Sequence, residues 1–135
     1  MRQINHMLAI GLLAFVLVTF SAQQQSRADE PVMLTEQEIL AQVIGNTASG
    51  VGEKHRWSEY YQPDGAIRGR TDDGTDDGPY QGKWTVSGSE MCFDYDDSGD
   101  AGCWMMSVEG NEITYHKEGK HSMTGTLLKG NPKNH

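Results

Sequence analysis

Asp94, Asp96 and Ser98 stand at alternate positions, and Gly99 follows them. That is the opening of a calcium loop, in which oxygen ligands two residues apart wrap a hard cation and Gly permits the sharp turn. Asp100 adds a further oxygen, so the candidate metal set is Asp94, Asp96, Ser98 and Asp100. The loop's twelfth position calls for a bidentate Glu, and Met105 stands there. A second acidic run, Asp72-Asp73-Gly74-Thr75-Asp76-Asp77-Gly78, repeats Asp-Asp-Gly. Its carboxylates repel one another unless a cation, Arg68 or Arg70 lies close. His116 and His121 flank a four-residue turn and make half of a zinc or copper site, with His55 the candidate third ligand. Met91, Met105, Met106 and Met123 offer thioethers to copper, a role less common than filling irregular cores.

Trp57, Tyr60, Tyr61, Tyr80, Trp84, Tyr95, Trp104 and Tyr115 are many rings for a small domain. Some must form the core. A surplus lines a pocket, because small-molecule sites are apolar with a few polar anchors. Catalysis finds little support. The chain has no Gly-x-Ser-x-Gly elbow, no His-Glu-x-x-His and no phosphate loop. An acid and histidine such as Glu59 and His55 are an ordinary coincidence of composition.

Residues 1–28 read as an export signal. Arg2 precedes an apolar run from Met7 to Phe20, and Ser26-Arg27-Ala28 has the small-x-small form cut by a signal peptidase. The run is too short for a membrane span, which needs about 20 residues. The expected location is therefore the periplasm or the exterior, with no membrane span after signal removal. In such an oxidising place Cys92 and Cys103 join, which stabilises a thin core and removes both thiols as nucleophiles or metal ligands. The formal net charge of the full chain is −8. Loss of Arg2 and Arg27 makes the exported chain more acidic still. Phosphate backbones repel such a domain, so nucleic acid is excluded as a partner.

These residues need elements to position them. After a flexible leader at 29–34, Thr35 and Glu38 have capping-box spacing, and Leu34 and Ile39 occupy the staple positions. Ile39, Leu40, Val43 and Ile44 recur at helical spacing, which predicts a short helix over 36–44 before Gly45-Asn46. Beyond it, short alternating runs broken by Gly, Asp and Asn read as strands at 55–61, 66–70, 80–86, 90–95, 103–108, 112–116 and 121–128. Gln62-Pro63-Asp64-Gly65 is a turn between two of them. Seven or eight short strands joined by hairpins predict a mainly β domain, a small antiparallel barrel or sandwich with one N-terminal helix. It spans 35–130, and 131–135 form a frayed tail. A Cys92–Cys103 bond pairs Met91 with Trp104 and Phe93 with Gly102. That register turns Met91, Phe93, Tyr95, Trp104, Met106 and Val108 to the core.

Ile44-Gly45-Asn46-Thr47, Tyr61-Gln62-Pro63-Asp64-Gly65, Gln81-Gly82-Lys83-Trp84, Met91-Cys92-Phe93-Asp94-Tyr95 and Gly102-Cys103-Trp104 occur in this order. The arrangement resembles a group of short exported proteobacterial proteins of unknown function. It implies a periplasmic β-rich domain and no particular activity. The Gly82-Lys83-Trp84 motif is also remotely similar to that of lipocalin-like barrels.

The function expected from the sequence is a monomeric, non-catalytic binding module for an exported protein or a small ligand, with no cofactor. A calcium protein using the acidic loops is the alternative. Inhibition of an exported protease, or a small enzyme without a recognisable motif, are further alternatives.

Overall fold

A computed structural model describes residues 30–52, 56–72, 78–96, 101–120 and 122–135. The signal-peptide reading of residues 1–28 lies outside the described residues. Eight strands follow the helix α1 (Glu36–Gln42): β1 (Thr47–Val51), β2 (Arg56–Tyr61), β3 (Ala66–Asp72), β4 (Gly78–Ser87), β5 (Glu90–Tyr95), β6 (Ala101–Glu109), β7 (Glu112–His116) and β8 (Met123–Leu128). Each pairs antiparallel with the next, and β8 returns to β1, so the sheet closes into a barrel. Closure leaves no sheet edge to be covered, and it decides between barrel and sandwich. Among the described residues no helix is long and apolar enough to cross a membrane.

The helix forms for the reasons its sequence gives. Thr35 and Glu38 satisfy each other's backbone donors in a complete capping box. The Thr35 hydrogen bonds hold the Glu38 carboxyl below its ordinary pKa. The helix ends at Gln42, two residues short of the expected limit, with Val43 as its C-cap, and the chain then turns through Gly45 at φ 79°. α1 lies across one end of the barrel, with Ile39 and Val43 fully buried in its core. Leu34 docks there too. Its N–H donates to the Met106 carbonyl, beyond the point where β5 stops pairing with β6.

The disulfide register holds as expected: Cys92 faces Cys103, Met91 faces Trp104 and Phe93 faces Gly102. Replacing both cysteines by serine lowers the unfolding free energy by about 2.5–3 kcal/mol while the strand pairing stays. Urea denaturation of parent and variant measures this. Equal midpoints would mean that the hairpin is already held by its ladder.

One strand escapes the pattern. β1, Thr-Ala-Ser-Gly-Val, lacks large alternating residues, and its inward positions are Ala48 and Gly50. The C-terminal residues are also held rather than frayed. Gly130 N–H donates to the Asn46 side chain, and Thr47 Oγ1 donates to the Gly130 carbonyl at 2.7 Å. Asn131 and His135 exchange two hydrogen bonds, and His135 Nε2 shares one with Ser58 Oγ at 2.9 Å. A polar segment with this many local acceptors ties itself to the outside of β1 and β2.

Candidate functional site

The strand alternation points Trp57, Glu59 and Tyr61 of β2 into the barrel. Glu59 is the exception on that face, a carboxylate only 7% exposed. A buried charge is costly unless it is hydrogen-bonded, and Glu59 is. Its Oε1 accepts from Tyr80 at 2.8 Å and from Tyr95 at 2.7 Å. Its Oε2 accepts from Tyr61 at 2.8 Å. The Tyr61 and Tyr115 hydroxyls stand 2.9 Å apart. Since the single Tyr61 proton goes to Glu59, Tyr115 must donate to Tyr61. Four hydroxyls from β2, β4, β5 and β7 thus converge, directly or in relay, on one carboxylate.

Burial pushes the Glu59 pKa up, against the pull of the three hydroxyl donors. Burial likewise pushes Tyr61, Tyr80, Tyr95 and Tyr115 above the ordinary phenol value, with the Glu59 charge adding to it. The tyrosines therefore stay neutral donors beyond the pH at which an ordinary phenol ionises.

Above this cluster a cavity of about 640 Å³ opens at the end opposite α1. Trp57, Phe93, Trp104 and Tyr115 wall it, Glu59 and its tyrosines border it, and Lys117, Lys120 and Met123 stand nearer the mouth. The rings pack on one another. Phe93 lies 5.5 Å from Trp104 and 6.2 Å from Tyr115 between ring centroids, and Trp57 meets Tyr115 edge-on at 6.0 Å. Lys117 Nζ sits 4.5 Å above the Trp104 ring.

Glycines on the inner face make room for the rings. A β-carbon on Gly50 would stand 2.6 Å from Trp57 Cζ2, and one on Gly102 would stand 2.6 Å from Trp104 Cη2. One on Gly69 would overlap the Tyr80 ring. The Trp57 and Tyr80 rings lie back against the wall over a neighbouring strand's glycine, and the Trp104 ring lies over Gly102 of its own strand. The lumen is left open because the rings are flat against its sides.

No protein family, curated protein or solved structure matches the chain. The chemistry of the cavity must be argued from its own residues.

Of the rings singled out in the sequence, Trp57, Tyr61, Tyr80, Tyr95, Trp104 and Tyr115 line the cavity. Trp84 packs against the core, its Nε1 donating to the Gln62 carbonyl, and Tyr60 lies on the opposite face of β2 from Glu59. Of the calcium set, only Asp94 and Asp96 are among the described residues. Asp94 is exposed on the outside of β5, and Asp96 uses its N–H on the Gln81 carbonyl. Ser98 and Asp100 lie outside the described residues, as do Asp97 and residues 73–77. Among the described residues no three or more His, Cys, Asp or Glu gather for a metal. Asp72 finds Arg70 at 3.5 Å, the pairing its acidic run called for. His116 spends both ring nitrogens on Ser107 and Ser122 hydroxyls, and His121 and His55 lie outside the described residues. Met91 and Met106 are buried in the core, whereas Met123 reaches the cavity.

Sequence reasoning passed over Glu59, naming it only beside His55. The signal was its place between Trp57 and Tyr61 on the inward face of one strand. An acid at such a position is either paid for by partners or functional, and here it has three partners and a cavity.

Proposed function

We propose that this protein is a non-catalytic binding module that holds one small, ring-bearing molecule in the barrel lumen. The observation that carries the reading is an aromatic-walled cavity with a single buried polar cluster, Glu59 and its tyrosines, at its inner end. Ligand sites are commonly apolar with a few placed polar groups, and eight-stranded barrels have room for one small ligand. The remote lipocalin-like resemblance is consistent with this, as fold analogy alone. The Cys92–Cys103 bond suits an oxidising compartment and supports export.

The test is a titration with N-phenyl-1-naphthylamine, an uncharged dye that brightens in apolar surroundings. Saturable brightening at one dye per chain is expected. Thr71 faces the lumen between Trp57 and Gly78 in the register, and a β-carbon on Gly78 would meet nothing within 4 Å. Thr71 lines the cavity, so Thr71→Trp narrows its mouth, and dye affinity should fall at least about tenfold. Brightening that persists unchanged in Thr71→Trp would place the dye elsewhere and remove the lumen as the site.

A further inference from the structure

The direction of the hydroxyl protons says what kind of head group the cavity accepts. Tyr61, Tyr80 and Tyr95 each have one proton, and all three point at Glu59. The Tyr115 proton is spent on Tyr61. With the carboxylate ionised, the cluster has no donor left to offer a ligand. It keeps only acceptors, namely an unused lone pair on Glu59 Oε2 and the hydroxyl oxygens around it. Such a surface is complementary to a group that brings donors and needs none.

Two further observations point the same way. Glu59 has no ion-pair partner among the described residues, although it is buried. A buried carboxylate is more stable with a cation against it. The wall itself already takes an ammonium, since Lys117 Nζ lies 4.5 Å from the Trp104 ring centroid. Aromatic faces attract cations, more strongly where water is excluded.

We propose that the cavity binds an organic amine, with the protonated nitrogen on the Glu59–tyrosine cluster and the apolar body between Trp57, Phe93 and Trp104. The proposal rests on the lumen being the binding site. An ammonium supplies three donors and a charge to the acceptor cluster. A hydroxyl head supplies one donor without charge. A carboxylate head supplies none and places two anions together. The acidic character of the whole chain adds a favourable long-range field for cations.

The experiment displaces bound N-phenyl-1-naphthylamine from the full chain, at neutral pH, with tryptamine, tryptophol and indole-3-acetate. These share one ring system and differ in the head group. Tryptamine is expected to displace the dye at a concentration at least about tenfold below that of tryptophol, with indole-3-acetate weakest. In Glu59→Gln the advantage of tryptamine over tryptophol should collapse to about twofold or less. If the dye binds and tryptophol or indole-3-acetate competes as well as tryptamine, or none of the three competes, the amine inference fails and lumen binding survives. If the dye itself does not bind, the reading of the lumen falls with it. An unchanged tryptamine preference in a folded Glu59→Gln, its fold checked by near-ultraviolet circular dichroism, also overturns the proposal. The comparison within the parent protein stands even where the variant does not fold.

Discussion

Gly69→Ala should lower the unfolding free energy by about 3–5 kcal/mol, although it adds one methyl group to a strand. The added carbon falls within the Tyr80 ring. The ring cannot yield by a small rotation, because its hydroxyl is held by Glu59 Oε1 at 2.8 Å and its edge meets Tyr95 at 5.8 Å between centroids. Overpacking costs about 1–3 kcal/mol, and losing a hydrogen bond to a charged acceptor adds about 1.5–3. In a Tyr80→Ala background the same change should reverse sign. With the ring gone, alanine suits a strand better than glycine by about 0.5–1 kcal/mol. Urea denaturation of the four proteins in this cycle measures the coupling directly. Equal costs in both backgrounds would mean that Gly69 does not exist to seat the ring.

The same seating shows what a sequence can and cannot disclose about this barrel. Strand positions were legible because alternation and turn residues are local signals. Gln62-Pro63-Asp64-Gly65 forms its turn with Gly65 at φ 94° and a Gly65 N–H to Gln62 carbonyl bond. The pairing of β5 with β6 was legible because two cysteines impose one register. β1 was not, since its inward positions carry only Ala48, opposite Glu59, and Gly50, over which the Trp57 ring of β2 lies. The hydrophobic partner of that strand is written in another part of the chain. For the same reason the inward glycines at 50 and 102 resemble loop residues in a linear reading, and Gly69, although inside an expected strand, gives no sign there of the ring it seats. The Glu59 cluster gathers tyrosines from four strands, and nothing local relates residue 59 to residues 80, 95 and 115. The faint likeness between Tyr61-Gln62-Pro63-Asp64-Gly65 and Tyr115-His116-Lys117-Glu118-Gly119 reads locally as repeated hairpin chemistry. In three dimensions the two tyrosines meet, hydroxyl to hydroxyl.

Glu59→Gln should make the protein more resistant to alkali than its parent. Burial raises the Glu59 pKa in the folded state above that of an ordinary glutamate. The folded protein therefore binds a proton that the unfolded chain has released, once the pH exceeds the unfolded value. The stabilisation from this group is complete below that value and is lost as pH rises through the raised one. Within that window the parent should lose up to about 1.4 kcal/mol per pH unit relative to the variant. Glutamine can take over the hydrogen bonds. Its oxygen accepts from Tyr80 and Tyr95, and its amide donates to Tyr61, which then turns its own proton to Tyr115. The groups facing Glu59 do not blur the comparison. Tyr61, Tyr80, Tyr95 and Tyr115 are held neutral by burial, and Lys117 and Lys120 at the mouth are common to both proteins. Glu38 and His135 titrate in both as well. Urea midpoints across the acid-to-neutral range should then diverge with rising pH, the variant above. Parallel curves would mean that the three tyrosine donors outweigh burial and keep Glu59 ionised throughout. A bound ammonium acts on the same equilibrium. By favouring the carboxylate it expels the proton, so amine binding should tighten with pH over the window in which the free parent weakens.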